Sequence, residues 1–415
     1  MSLKKLFIIL LSALAASTYA ATTIVPYGNS AWVHGYTYDG KNTMKFSRSA
    51  FFFNKIKQYN EGAGPGHQLT ELFVYAATIE ISPAKNNQYL PNNFRLTYYP
   101  SRLMSKITDN WDDWVGQLDA GFNSVHAYSH LTVTGKAKAK RVLNIIDISG
   151  VVGYKGSHGT WYMNGLDQPS AMQLANVVAA QVCADDVVDG VSFDIEPFSF
   201  SNDSGVIQGY GQKYFYTQIA KDFAGHYSNG KKDPLHCVDG MHKQGRIFGI
   251  FTGGGAVQDN PSAIAKVLTQ YGNGYLIFGL YDLGDNVVAG VAESPSAHAQ
   301  EVQTAIASDM QLAEQYKIPY QFAIGAAATA TQFERLGPTP TGYNQIDYVK
   351  ADIAAINNSS ARKDPLFKGI DLYAFNEELL VKDPNQTTVH LNRQYPPDIF
   401  SDTQKAVVPY LQNNL

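Results

Sequence analysis

The chain has 415 residues, 45% of them hydrophobic and 12% aromatic, which is enough apolar material for a substantial core. Its formal net charge is −4 and only 16% of its residues are charged, so it lacks the basic surface typical of nucleic-acid-binding proteins. The many Tyr, Asn and Gly residues on this weakly charged chain favour a neutral, hydroxyl-rich ligand such as a glycan.

The amino-terminal segment, residues 1–20, has the pattern of a secretory signal peptide. Lys4 and Lys5 supply a positive start, residues 6–16 form an apolar centre, and residues 18–20 provide a cleavage site. The apolar centre is too short to span a bilayer, and no comparable segment follows. The sequence therefore predicts a mature chain, residues 21–415, that is secreted or periplasmic and has no membrane span.

The chain contains two cysteines, Cys183 and Cys237. In an oxidising compartment they could form a disulfide, and each precedes a predicted strand by a few residues. Their distance in space cannot be read from the sequence, so their pairing stays open at this point. Neither cysteine has neighbours that activate a thiol, which disfavours a catalytic cysteine.

Apolar, β-rich segments alternate with good helix formers, and this order predicts parallel βαβ units. Eight such strands predict an α/β fold, a closed TIM (β/α)8 barrel, organised as one domain over residues 21–415. The long connection over residues 82–140 is expected to form loops or an inserted subdomain. The predicted strands lie within 22–38 and at 72–79, 142–148, 190–196, 247–252, 275–282, 321–326 and 370–375, and the clearest helices at 170–182, 211–226, 297–316 and 347–356.

The segment 189–196 reads Asp-Gly-Val-Ser-Phe-Asp-Ile-Glu and divides into two faces at the period of a β-strand. Alternate residues from Val191 to Ile195 form an apolar face that suits burial under helices. The opposite face ends in Asp194 and Glu196, and neighbouring carboxyl groups in a buried place are costly unless a function or a partner requires them. Parallel barrels place their chemistry at this carboxyl end of the strands.

This segment resembles the signature of glycoside hydrolase family 18, the chitinase family, which is usually written D-G-x-D-x-D-x-E. Asp189, Asp194 and Glu196 match its acidic positions, whereas Ser192 stands where the family has its middle aspartate. The family fold is a TIM barrel with this motif on the fourth strand, and the segment is also the fourth of the eight predicted strands. The resemblance implies a divergent member of that family.

Weaker similarities lie on three other predicted strands. Tyr281 and Asp282 fall in a segment similar to the family's sixth-strand M-x-Y-D element, and Tyr373 stands at the position of the final-strand tryptophan that forms a sugar platform. Residues 147–150 read Asp-Ile-Ser-Gly and fall near the third-strand S-x-G-G element. The similarity thus spans the barrel, although only the fourth-strand motif is specific.

The residues themselves suit glycoside hydrolysis, which needs an acid to protonate the departing oxygen and a group that stabilises the developing oxocarbenium ion. Glu196 is the candidate acid. Asp194 lies on the same strand face with its Cβ atom roughly 6–7 Å away, close enough to raise the proton affinity of Glu196. The ten histidines show no metal-binding spacing, so we expect neither a metal nor another cofactor.

The resemblance implies a retaining, substrate-assisted mechanism in which the acetamido carbonyl of an N-acetylglucosamine unit attacks its own anomeric carbon. Asp194 would hold the acetamido N–H, and Tyr281 would hydrogen-bond the carbonyl oxygen. The implied substrate is a glycan with β-1,4-linked N-acetylglucosamine, such as chitin, a chito-oligosaccharide or the core of an N-glycan. The predicted substrate-binding residues are Ser192, Asp282, Tyr373, which would form the sugar floor, and Asp189.

Other interpretations stay open. A non-catalytic, chitinase-like lectin is one, although such lectins typically lose the acid that Glu196 retains. A two-carboxylate glycosidase on the same barrel is another, with Asp147 or Glu377 as a partner at the barrel mouth. Asp194 and Glu196 could also be structural ion-pair partners. Because Ser192 cannot share a proton as a second carboxylate would, we expect a shifted pH optimum or a reduced rate.

Overall fold

The structure is a computed structural model. It describes residues 23–33, 37–38, 44–45, 49–81, 94–98, 132–133, 140–149, 163–164, 166–195, 198–200, 210–225, 233–280, 283, 287–288, 291–325, 343, 345–373 and 399–415. Several predicted features lie outside these residues: the signal peptide, Glu196, Tyr281, Asp282, Glu377 and most of the expected insertion at 82–140.

Eight parallel strands form a closed barrel. Each strand pairs with the next one in chain order, and the last pairs with the first, so the ring has no free edge. An additional strand, Phe94–Tyr98, pairs antiparallel with residues 77–81 of the second barrel strand. The prediction of a TIM (β/α)8 barrel is therefore confirmed.

The elements have the following bounds. The barrel strands are β1 Asn29–Val33, β2 Leu69–Ile81, β3 Leu143–Ser149, β4 Gly190–Asp194, β5 Ile247–Thr252, β6 Gly274–Gly279, β7 Tyr320–Gly325 and β8 Phe367–Tyr373. The helices are α1 Ser49–Gly62, α2 Gln168–Ala184, α3 Gly211–Phe223, α4 Gly254–Gln258, α5 Pro261–Thr269, α6 Pro295–Tyr316, α7 Gln345–Asn358 and α8 Ile399–Asn414. Short antiparallel pairs join Thr37–Tyr38 to Met44–Lys45, Thr132–Val133 to Lys140–Arg141, and Val287–Val288 to Val291–Ala292.

Local signals in the sequence explain where the helices begin. Asp167 caps α2 by accepting a hydrogen bond from the Ser170 backbone N–H at 2.9 Å, and Pro169 occupies the first turn. Ser294 caps α6 in the same way, followed directly by Pro295. All four predicted helices form, with bounds within a few residues of the expectation, because capping and apolar periodicity are local properties.

The two faces of β4 separate as their pattern predicts. Val191, Phe193 and Ile195 are buried in the apolar layer between the barrel and its helices. The Phe193 ring meets Phe215 and Tyr216 of α3 edge-on, with ring centroids 5.4 Å apart in both pairs. A phenylalanine buried in this way stabilises a fold by about 3 kcal/mol or more relative to alanine. The alternate residues of β4 consequently face the barrel interior.

The seam between β8 and β1 depends on a glycine. Gly369 has a φ of 128°, and a Cβ atom there would lie 1.9 Å from the Gly28 carbonyl oxygen. The Gly28 N–H donates to the Lys368 carbonyl at 2.8 Å, which draws the two chain segments together. Only glycine combines this φ with so close an approach of another backbone, and this allows the last strand to dock on the first.

A disulfide joins Cys183, in the last turn of α2, to Cys237, in the segment that precedes β5, with Cα atoms 4.6 Å apart. The sequence left the pairing of the two cysteines open, and in the structure they are bonded to each other. The link lies near the amino ends of β4 and β5, opposite the carboxyl end where a barrel of this type carries its site. It thus fastens the base of the barrel.

Candidate active site

The carboxyl end of β4 brings two of the predicted site residues to the barrel interior. Ser192 is fully buried, and Asp194, the last residue of the strand, is half-buried. Asp194 also affects α3, because its charge adds to burial in raising the pKa of Tyr216 well above the ordinary value. Glu196 follows Ile195 in the sequence and lies outside the described residues, so its predicted role as the acid stays a prediction.

Tyr373 ends β8 and is half-buried at the same end of the barrel as Asp194. Its ring meets Trp32 of β1 edge-on, with centroids 5.3 Å apart. Trp32 in turn contacts Phe73 of β2 at 5.1 Å and Phe251 of β5 at 5.9 Å. These four rings form an aromatic layer across the barrel, and Tyr373 is the member at its edge. An aromatic side chain with one covered edge and one accessible part can serve as a surface for a sugar ring.

Three buried carboxyl groups face the barrel interior. They are Glu71 of β2, Asp147 of β3 and Asp371 of β8, and each is almost completely inaccessible to solvent. Burial raises the pKa of Glu71 to about 8 and that of Asp147 to about 7, and it raises the pKa of Asp371 well above its ordinary value. These side chains are therefore largely protonated at pH values where exposed carboxyl groups are charged.

Polar neighbours reduce these shifts without removing them. Gln321 of β7 donates to Glu71 Oε2 at 2.9 Å and lowers its pKa. Trp32 and Ser192 approach Asp147 and lower its pKa by less than burial raises it. The Tyr275 hydroxyl on β6 faces the group, and its own pKa is raised first by burial and then by the charges of the three carboxyl groups.

Asp189 lies at the other end of β4. It precedes Gly190, so along an extended strand it is roughly 16 Å from Asp194. Its Oδ1 atom is 3.1 Å from Nε2 of His242, and Nδ1 of His242 is 3.0 Å from Asp239. Arg246, completely buried, donates to Asp239 at 2.9 Å. The structure therefore does not bring Asp189 to Asp194, and its contacts indicate a role at the base of the barrel.

The electrostatics of this basal group are those of a structural network. Burial alone would raise the pKa of Asp239, but hydrogen bonds from His242 and the charge of Arg246 hold it well below its ordinary value. The buried Arg246 also donates to the carbonyl oxygens of Cys237 and Asp185, each at 3.2 Å, and so ties the disulfide segment to α2. A buried arginine with this number of partners is costly to disrupt.

The sequence directed attention to the carboxyl end of β4, and the structure adds buried carboxyl groups of the barrel interior that the sequence analysis did not single out. Ser192, Asp194 and Tyr373 lie at the barrel interior or its carboxyl end. Asp147, which the sequence suggested as a partner in a two-carboxylate glycosidase, also faces the interior. Glu71 and Asp371 were not singled out, although each is an acidic residue inside an apolar strand, a pattern that signals a special environment. Tyr281 and Asp282 lie outside the described residues.

Within the described residues, no group of three or more His, Cys, Asp or Glu side chains is arranged to hold a metal ion. No helix in the same part of the chain is long and apolar enough to cross a membrane.

No protein-family model and no curated protein matches the sequence. Among solved structures, a Bacteroidetes-affiliated GH5 cellulase has 11% identity and a TM-score of 0.46, and the match covers 93% of this chain and 91% of the cellulase. The ICChI chitinase from Ipomoea carnea has 10% identity and a TM-score of 0.42, and the match covers 92% of this chain and 99% of the chitinase. A GH18 chitinase from Pseudoalteromonas aurantia has 12% identity and a TM-score of 0.40, and the match covers 84% of this chain and 94% of that chitinase. The closed ring of eight parallel strands, rather than these distant likenesses, establishes the TIM (β/α)8 barrel.

Proposed function

We propose that this protein is a secreted glycoside hydrolase that cleaves β-1,4-linked N-acetylglucosamine glycans with retention. The observation that carries the proposal is the position of the acidic segment. β4 ends at Asp194 at the carboxyl end of a closed parallel barrel, and the candidate acid Glu196 follows two residues later in the sequence. This is the end at which TIM barrels carry their catalytic residues.

The proposed roles follow from charge and reach. Glu196 protonates the departing glycosidic oxygen, and the neighbouring carboxylate of Asp194 raises its proton affinity so that it stays protonated near neutral pH. Asp194 also accepts a hydrogen bond from the acetamido N–H of the substrate, which turns the acetamido carbonyl toward the anomeric carbon. Tyr281 donates to that carbonyl oxygen, and Asp282 contacts the same sugar.

The acetamido oxygen then attacks the anomeric carbon as the glycosidic bond breaks. Water opens the cyclic intermediate from the face that the leaving group has left, and the ionised Glu196 takes up the proton of that water. Two displacements at one carbon retain its configuration. Tyr373 forms the floor under the sugar, and its edge-on contact with Trp32 holds the ring in one orientation before substrate binds. A platform that is ordered in advance reduces the entropy lost on binding.

The disulfide between Cys183 and Cys237 supports export, because disulfides persist in oxidising compartments. The buried position of Asp147 disfavours a direct role as the second carboxylate of a two-carboxylate glycosidase, since the group that attacks or activates water must reach the substrate. A substrate-assisted mechanism does not require a second carboxylate at that position.

The experiment compares purified wild-type protein with Glu196→Gln and a matched control, Glu61→Gln, which changes an exposed glutamate on α1. Hydrolysis of a chromogenic di-N-acetylchitobioside and calorimetric binding of a chito-oligosaccharide are measured for each. We expect Glu196→Gln to lose roughly 100-fold or more of the hydrolysis rate while it still binds, as for removal of a general acid. Glu61→Gln should behave like wild type.

Binding without cleavage by the wild-type protein would instead identify a lectin. Full hydrolysis by Glu196→Gln would remove the assignment of the acid. If the wild type neither binds nor cleaves this substrate, the proposed specificity is wrong for chito-oligosaccharides, and an N-glycan with an intact N-acetylglucosamine core is the substrate to test next.

A further inference from the structure

Asp147 and Ser192 are direct neighbours across the β3–β4 pair. The two residues are in register, as are Ser149 and Asp194 one step further along the strands. Both Asp147 and Ser192 are buried, with 3% and 0% of their surfaces exposed. Because the intervening residues of both strands pack in the outer apolar layer, the side chains of Asp147 and Ser192 face the barrel interior together.

The carboxyl group of Asp147 can act as a hydrogen-bond donor. Burial raises its pKa to about 7, and the approach of Trp32 and Ser192 lowers the pKa by less. The titratable groups that face it within the described chain are Asp371 of β8 and Tyr275 of β6, which interact with it electrostatically, and Asp194 on the neighbouring strand. A carboxyl group that keeps its proton near neutral pH donates through its O–H, which an ionised one cannot do.

The Ser192 hydroxyl provides the connection. Ser192 Oγ is buried, and among the described residues it makes no hydrogen bond with both a short distance and a good angle. It nevertheless lies near enough to Asp147 to lower the pKa of the Asp147 carboxyl group. A hydroxyl accepts and donates at the same time and rotates about its own bond. Asp194 is two residues further along β4, so the Cα atoms of Asp147 and Asp194 are about 8 Å apart by strand geometry. That span fits two short carboxyl side chains with one hydroxyl between them.

On the basis of the proposed function, we propose that Asp147 is the positioning residue of the active site and shares a proton with Asp194 through the Ser192 hydroxyl. The Asp147 O–H donates to Ser192 Oγ, and the Ser192 O–H donates to the Asp194 carboxylate. When the proton moves, Asp147 becomes ionised, Asp194 becomes protonated, and the hydroxyl regains its own hydrogen. β3 thus supplies the carboxyl group that β4 lacks beside Asp194.

Glu71 and Asp371 do not suit this role, although they belong to the same buried group. Glu71 is in register with Ser30 and Leu143 and is held by Gln321. Asp371 is in register with Ser30 and Ala323, on the far side of the ring from β4. Asp371 also interacts with Asp147 electrostatically, so the matched control is Asp309→Asn, which removes a buried carboxyl group on α6, outside the barrel interior that holds Asp147.

The first measurement follows the protons without a substrate. Carbon-13 NMR of aspartate carboxyl groups is recorded against pH for the wild type, and the Asp147 signal is assigned by its loss in Asp147→Asn. We expect its titration midpoint to move by about one pH unit or more in Asp194→Asn, as for carboxyl groups that interact strongly. Ser192→Ala should weaken this dependence, and Ser192→Thr, which keeps the hydroxyl, should preserve it. An Asp147 midpoint that is identical with and without the Asp194 charge would overturn the proposal.

The second measurement is the exchange of the two residues. Asp147→Ser and Ser192→Asp are each expected to change the pH dependence of kcat by about one pH unit, with KM changed much less. The double variant Asp147→Ser/Ser192→Asp returns one carboxyl group and one hydroxyl to the pair, and it should recover the wild-type profile. If the effects of the two single variants simply add in the double variant, the proposal is contradicted.

The two outcomes separate this inference from the proposed function. If no hydrolysis of any N-acetylglucosamine glycan is found, the proposed function fails, and the NMR titration still decides whether Asp147 and Asp194 share a proton. If hydrolysis depends on Glu196 but the profile of Asp147→Ser matches wild type, the proposed function stands and the positioning role of Asp147 is rejected.

Discussion

Replacing Asp309 by asparagine should make the stability of the protein less dependent on pH. Asp309 lies on α6 and is only 5% exposed. Its carboxyl group packs against the start of α4, where a Cβ atom on Gly254 would come within 1.8 Å of Asp309 Oδ1. Burial raises the pKa of Asp309 from 3.8 to about 7. The folded protein therefore holds a proton that the unfolded chain releases in mild acid.

The sign and size of the effect follow from this difference. Below pH 4 the carboxyl group is protonated in both states, so its titration does not affect folding. Between pH 4 and 7 only the unfolded chain loses the proton, and the free energy of unfolding falls as pH rises. The pKa of Asp309 differs by about 3 units between the unfolded chain, at 3.8, and the folded protein, at about 7. This difference corresponds to about 4 kcal/mol, which is the full loss in the free energy of unfolding above pH 7. Asparagine has no proton to lose.

Urea denaturation of wild type and Asp309→Asn at several pH values between 4 and 8 measures this difference. We expect nearly equal stabilities at pH 4 and an advantage of about 4 kcal/mol for the variant at pH 8. Asp259→Asn, at an exposed position just after α4, is the matched control and should follow wild type throughout. A difference between Asp309→Asn and wild type that stays constant with pH would refute the reasoning.

Two further predictions concern the base of the barrel. Replacing Cys183 and Cys237 by serine should lower the free energy of unfolding by about 4 kcal/mol, because the disulfide closes a loop with a sequence separation of 54 and so reduces the entropy of the unfolded chain. Thermal and urea unfolding measure this change. An unchanged free energy of unfolding would contradict the loop-entropy account. Asp189→Asn should lower the stability by about 1–3 kcal/mol because it weakens the buried contact with His242, and it should leave KM unchanged. A raised KM with unchanged stability would return Asp189 to the substrate-binding residues.

The elements of the barrel were predictable because their signals are local. The alternation of Val191, Phe193 and Ile195 requires a strand with one covered face, and the structure confirms both the strand and its covering helix. The same reasoning located all eight barrel strands, although β4 and β6 end at Asp194 and Gly279, before the predicted ends at 196 and 282. Strand ends depend on pairing with neighbours, which a single segment does not reveal.

The interior of the candidate site was predictable only in part. The acidic motif directed attention to Ser192 and Asp194 on β4, whose roles stay predictions, but the residue that faces Ser192 lies on a different strand. Glu71 and Asp371 are separated from Asp147 by long stretches of sequence, and only the closed ring brings their carboxyl groups into one desolvated space. Likewise, Asp189 belongs to the same motif as Asp194 but lies at the opposite end of an extended strand, next to His242.

The sequence by itself determined the fold class, the order of strands and helices, and the strand that bears the acidic motif, because hydrophobic periodicity and helix caps act over a few residues. Only the tertiary structure decided that Cys183 pairs with Cys237, that Asp147 faces Ser192, and which carboxyl groups lose contact with water. These properties depend on strand register and barrel closure. They arise when distant segments meet, and a proton is kept on a buried carboxyl group only after the surrounding strands have excluded solvent.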